Sequence, residues 1–215
     1  MRIARFTTVG EDPRYGILDD EDFVVLAGDP MFAGLDTTGE RVPIPTAKLL
    51  APVIPRSKVI VVGRDGVVYL KPNTAVIGPG DAIQLPPGEV TASGALAVVI
   101  GSIAKRVRAA DAAGVIFGYS IGVDVAASEQ IATGQPALAR GYDSFAPLGP
   151  VMETEFDTPE NVAAEVERVS GVWTLLPGDV IMLDLGEEPE VLQAGAPFSV
   201  TVAGLGTLTN PVRAR

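Results

Sequence analysis

Short apolar runs, each interrupted by polar residues and closed by Gly or Pro, set the pattern of this chain. Met1–Thr8, Arg14–Leu18 and Phe23–Leu26 read as small strands, with Leu18-Asp19-Asp20-Glu21-Asp22 turning between two of them. Val59–Gly63 is continuously apolar, which suits a strand covered on both faces. Ala75–Pro86 reads as strand, tight turn, strand, and Leu96–Ile100, Ile116–Ile121, Leu175–Met182 and Phe198–Val202 complete the β set. Helical signals are few. Ala109–Val115 suits a short helix. Thr158-Pro159-Glu160 offers a capping hydroxyl, a proline at the first helical position and an acid in the first turn, after which Val162, Val166 and Val169 share one face and Gly171 lies near the stop. Many short strands with few helices predict a predominantly β (α+β), barrel- or roll-like fold. The Pro-bounded stretch from Val42 to Pro55 is the natural junction, dividing a small N-terminal β domain, residues 1–54, from a main domain, residues 55–215.

Composition changes the picture by what it removes. The 215 residues contain no histidine and no cysteine, so an imidazole acid/base step, a thiolate nucleophile and a His- or Cys-ligated metal are all excluded. The absence of cysteine fits a reducing compartment. Met1–Phe6 turns polar too early for a signal peptide, and no apolar run could span a bilayer, so a cytoplasmic location with no membrane partner is expected. A formal charge of −11 argues against nucleic acid, because phosphate binding needs clustered cations and the one basic cluster, Lys105-Arg106-Arg108, reads as a solvated face. Gly78-Pro79-Gly80 lacks the Gly-Lys-Ser/Thr ending of a phosphate loop, and there is no Gly-x-Ser-x-Gly elbow.

Six strings, in order and at suitable spacing from about Ile54 to the C-terminus, carry a resemblance: Tyr69–Gly80, Gly94–Gly101, Gly118–Val125, Gly141–Pro150, Thr174–Ile181 and Gly204–Val212. Together they resemble the fumarylacetoacetate hydrolase family, and Leu49–Val53 is similar to the end of the small N-terminal domain of its bacterial members. The resemblance implies a mixed β-sandwich roll with few short helices and a dimeric assembly. It also implies Mg²⁺ or Mn²⁺ held by carboxylates, polarising a keto-acid or enolate oxygen, with a His–Glu pair on a mobile lid. The reactions of the family are hydrolysis of acylpyruvates, decarboxylation of oxaloacetate-like acids and isomerisation of dienoates.

Transferred residue by residue, the family's two metal-binding glutamates fall at Ser93 and Ala95, while the third carboxylate falls at Asp124. The arginine that follows falls at Ser128, the substrate-contacting lysine at Arg140, and the Thr-Gly-Thr-Pro loop at Leu183-Asp184-Leu185-Gly186. Only Arg64-Asp65-Gly66-Val67-Val68 stands where the lid should be, and a hairpin expected between Phe156 and Thr158 is reduced to Asp157. One carboxylate holds Mg²⁺ poorly, so no metal or other cofactor is expected, and without the lid no general base is recognisable.

The expected protein is therefore a pseudoenzyme of this hydrolase-like and isomerase-like family, serving as a binding or structural subunit in a homodimer or beside an active paralogue. The alternative is a repurposed metal-independent enzyme acting on a small keto- or enol-acid. In that case Asp124 and Asp184 supply acid and base, and Arg140 anchors the organic acid. Asp124 could equally be a hydrogen-bonded structural carboxylate and Asp184 a surface loop end. Arg140 could pair with Asp124 or Asp143 in place of the metal. Tyr142 and Ser93 complete the candidate ligand-binding set, although the Tyr142–Phe145 string also suits a packed turn, and Trp173 suits packing.

Overall fold

The computed structural model describes residues 1–215. The N-terminal segment forms β1 (Arg2–Thr7), β2 (Arg14–Asp19), β3 (Asp22–Leu26), a single helical turn α1 (Pro30–Ala33), β4 (Thr37–Pro43) and β5 (Lys48–Leu49). Next come β6 (Val59–Val62), β7 (Val68–Lys71), β8 (Val76–Ile77), β9 (Ile83–Leu85) and the long strands β10 (Val90–Ile100) and β11 (Ile116–Ala127). Two helical turns, α2 (Ser128–Ala132) and α3 (Pro136–Arg140), lead to β12 (Ala146–Glu153) and α4 (Glu160–Val172). The chain ends with β13 (Val180–Asp184), β14 (Glu190–Val191), β15 (Phe198–Val202), β16 (Gly206–Asn210) and β17 (Val212–Ala214).

The fold is predominantly β with few short helices. One 13-stranded sheet runs β4-β3-β2-β1-β12-β11-β10-β13-β6-β7, with β5, β8 and β14 attached at its sides. β15–β16 and β17–β9 form two small sheets. The sheet passes across residue 54, because β1 pairs with β12 through Arg2↔Glu153 and Ile3↔Met152.

β10 shows why the centre of the sheet is so apolar. Leu96, Val98 and Ile100 point into a core of 28 buried residues beneath α4 and the β15–β16 hairpin. The alternate residues Ala95, Ala97 and Val99 enter a second core of 15 residues on the opposite face. A strand covered on both sides reads as an unbroken apolar run, as Leu96–Ile100 does. The N-terminal strands add a third, smaller core around Phe6 and Phe23, whose rings stack at 4.7 Å.

Several sequence expectations change in detail. Val76–Ile77 and Ile83–Leu85 do not pair with each other across their turn; each runs parallel to a distant strand, β12 and β17 respectively. Ala109–Val115 is a 3-10 helix. Pro159, not Thr158, precedes α4, and the Thr158 hydroxyl instead shares a 2.6 Å hydrogen bond with the Tyr119 hydroxyl. Val162, Val166 and Val169 are buried on one face of α4 as the spacing predicts. Several elements were passed over in the sequence, among them α2, α3 and β12. The α2–α3 pair is too short and too interrupted by Gly134 and Pro136 to show a period, and β12 carries Pro147 and Pro150 yet lies between β1 and β11.

Candidate functional site

Register brings the expected site residues onto one face of the sheet. Ser93 of β10 stands opposite Asp124 of β11, and two residues further along β10 Ala95 stands opposite Asp184 of β13. Side chains on one strand alternate between faces, so Thr91, Ser93 and Ala95 share the face that carries both carboxylates. A cleft of about 510 Å³ opens there, and Ser93, Asp124, Arg140 and Asp184 all line it. Tyr142 does not. Its ring packs against Phe145 at 5.0 Å and its hydroxyl accepts a 3.4 Å hydrogen bond from Gln130 Nε2, which places it in the packed turn behind the cleft.

Asp124 is the centre of a buried charge cluster, with 8% of the residue exposed. Arg140 Nη1 donates to its Oδ2 at 2.5 Å, and the Tyr69 hydroxyl donates to the same oxygen at 2.7 Å. Lys71 Nζ lies 2.7 Å from Oδ1 as an ion pair. That oxygen accepts no properly directed hydrogen bond, because Lys71 is also against the carbonyl oxygens of Val125, Phe145 and Arg140 at 2.7, 2.8 and 3.2 Å. The guanidinium of Arg140 sits over the Tyr69 ring, 3.8 Å from its centre, a cation–π contact that fixes its plane. Arg140 thus takes Asp124 as its partner, and Asp143 has no share in the ion pair.

Burial drives the titration of these groups. It pulls the Lys71 ammonium below its ordinary value, and the adjacent Asp124 charge offsets only part of that effect. Burial, with the Asp124 charge second, pushes the Tyr69 hydroxyl well above the phenol range, so Tyr69 remains a hydrogen-bond donor.

Asp184 is less engaged. Its Oδ1 accepts the Gly186 N–H at 2.7 Å, capping the turn that ends β13. Where the resemblance calls for a lid, Gly63–Val67 closes a tight turn between β6 and β7, with Gly66 N–H bonded to Gly63 O at 2.8 Å and Gly63 N–H to Val67 O at 2.9 Å. Ser128 opens α2, and its backbone N–H bonds to Glu89 O. Nowhere do three or more Asp or Glu side chains converge as a metal-ligand group.

Sequence reasoning missed Lys71, Tyr69 and Thr91. A usable signal existed for the first: a lysine inside a strand-like run, facing inward where lysine is almost never buried unpaired, demands an acidic partner.

Comparison with known proteins agrees with this architecture. Residues 61–167 match the fumarylacetoacetate (FAA) hydrolase C-terminal family, and residues 1–52 match the Rv2993c-like, N-terminal family. Protein Rv2993c of Mycobacterium tuberculosis is 37% identical over 228 residues, covering 86% of this chain and 84% of its own. The crystal structure of 5-carboxymethyl-2-hydroxymuconate delta-isomerase from Mycobacterium smegmatis superposes with a TM-score of 0.91 at 38% identity, over 100% of both chains. That of 2-hydroxyhepta-2,4-diene-1,7-dioate isomerase from Mycobacterium marinum gives 0.92 at 34% identity, over 100% of this chain and 99% of its own. No helix is long and apolar enough to cross a membrane. A sheet built around β10 and β11, six matching strings and relatives aligned over most of their length lead to one conclusion: this chain belongs to the fumarylacetoacetate hydrolase family.

Proposed function

We propose that this protein has given up the metal-dependent chemistry of its family and serves as a binding or structural subunit, either as a homodimer or beside an active paralogue. The observation that carries this reading is the pairing of Asp124 with Arg140 and Lys71. The donor set does not suit a divalent ion. Mg²⁺ demands a full octahedron of oxygens, but the one carboxylate here already faces two cations, with Ser93 and Ala95 beside it. Two positive groups against the same carboxylate repel a third. The same engagement weighs against Asp124 as a base in a metal-independent reaction, since its Oδ2 already accepts from Arg140 and Tyr69.

The test has two arms. Calorimetric titration with Mg²⁺ and Mn²⁺ should give no saturable heat, and neither an acylpyruvate nor 5-carboxymethyl-2-hydroxymuconate should be turned over. EDTA-sensitive turnover of either compound would refute the reading. Sizing the protein alone and mixed with family members from the same genome tests the assembly, for which a monomer under every condition counts against a subunit role.

A further inference from the structure

The Asp124 cleft has two ends of opposite charge. At one end Arg140 and Lys71 together face the single carboxylate of Asp124, leaving an excess of one positive charge. Arg140 Nη2 and the buried Arg140 Nε make no hydrogen bond within the chain, and Asp124 Oδ1 has only its ion pair with Lys71. At the other end stand Asp184 and Asp65, each using one carboxylate oxygen to cap its own turn and leaving the other free. Arg64, the nearby cation, is bonded to Glu188 at 2.5 Å. Between the two ends lies the hydroxyl of Ser93, with that of Thr91 two residues further back along the same face of β10, and neither has a partner in the chain.

We propose that this cleft binds a small zwitterion of the ω-amino-acid class, with its carboxylate on Arg140 Nη2 and its ammonium on Asp184 and Asp65. The proposal rests on the reading of the protein as a binding subunit and names the ligand chemistry of that site. A dicarboxylate would match the Arg140 end but would bring its second charge against two carboxylates. A simple amine would leave the guanidinium without a counter-charge. Register sets the length. Asp124 and Asp184 are separated by two strand spacings and two residues along β10, roughly 12 Å between Cα atoms. An α-amino acid holds its charges too close to span that gap, whereas several methylenes reach across it. The guanidinium fork fixes the carboxylate in plane, and the Ser93 hydroxyl takes the place of water along the linker.

The experiment is calorimetry in EDTA with glycine, β-alanine, γ-aminobutyrate and δ-aminovalerate, alongside butyrate, glutarate and butylamine. Affinity should rise with chain length through the zwitterions and exceed that of all three controls. Asp184→Asn and, separately, Asp65→Asn should each weaken the best zwitterion roughly tenfold while leaving butyrate unchanged. Both side chains lie at surface turns, so circular dichroism and the melting temperature verify that each variant is folded. Glutarate or butyrate matching the zwitterions, zwitterion binding by either variant as tight as that of the parent, or no binding of any probe overturns the proposal. Because every titration is done without metal, these outcomes are separate from the turnover assay that decides whether family chemistry survives.

Discussion

Ser93 stands directly across the β10–β11 ladder from Asp124, and its hydroxyl makes no hydrogen bond within the chain. Of the two positions that resemblance assigns to metal-binding glutamates, one therefore carries an idle hydroxyl and the other, Ala95, a methyl group packed in the core. The carboxylate that remains is neutralised from the side, by Arg140 reaching over from α3 and Lys71 from β7. In this way charge cancellation depends on protein side chains that connect three elements of the fold.

That arrangement should be visible in stability. Arg140→Met strands Asp124 with one cation and removes the stacking on Tyr69, and should cost about 3 kcal/mol in urea unfolding. Asp124→Asn alone should also destabilise, because Lys71 and Arg140 then share a buried site without a counter-charge. The double variant should lose clearly less than the sum of the two, the signature of direct coupling. Additive losses would show that the two residues do not interact energetically.

Gly78 joins the N-terminal segment to the main sheet. A Cβ there would lie 2.5 Å from the Ala51 backbone nitrogen and 2.8 Å from the Leu50 carbonyl carbon, with no flexible side chain to yield. Gly78→Ala should cost about 2–3 kcal/mol, and limited proteolysis should cut near residues 50–55 faster than in the parent. An unchanged midpoint and digestion pattern would mean that this contact tolerates a shift.

At alkaline pH Tyr15 should govern part of the loss of stability. Burial, with the charge of Asp29 second, raises its hydroxyl from 10.0 to about 12. Above pH 10 the unfolded chain releases a proton that the folded chain retains, so the unfolded state binds fewer protons and stability falls as pH rises through the folded value. Between pH 10 and 12 the parent should lose about 2 kcal/mol more than Tyr15→Phe. Parallel curves would sink this assignment.

The fold was largely legible because the framework is written in glycine, proline and apolar runs whose spacing depends little on the chemistry at the site. Val59–Gly63 and Leu96–Ile100 announced buried strands, and Val162, Val166 and Val169 announced the buried face of α4. The parallel pairing of Val76–Ile77 with β12 was not legible, since alternation gives the face of a strand but not its neighbour. At the site, sequence could name Asp124, Arg140, Asp184 and Ser93, which line one cleft. It left open whether Arg140 turns to Asp124 or Asp143, a choice made by the stacking on Tyr69 and visible only in three dimensions. Tyr142, three residues before Phe145 and packed against its ring rather than lining the cleft, shows the limit of carrying a motif whole.

Asp179 offers the last test, at acid pH. The Pro177-Gly178-Asp179 turn buries this carboxylate completely, where it accepts from Ser57 Oγ at 2.7 Å, Lys58 Nζ at 2.6 Å and the Leu176 N–H at 2.9 Å. Burial alone would raise its titration point, but the hydrogen bonds from Lys58, Leu176 and Ser57 outweigh burial and hold it below the ordinary 3.8. Between the folded and unfolded values the unfolded chain binds more protons, so this contribution is fully present above pH 3.8 and is lost as pH falls through the folded value. Asp179→Asn keeps the shape but loses the charge-assisted bonds, and at neutral pH it should cost about 2–3 kcal/mol. The gap between parent and variant should narrow steadily below pH 3.8, because protonation turns the parent into a near-equivalent of the amide. A gap that stays constant down to the acid transition would mean that packing, not the charge on Asp179, joins the start of β6 to β13.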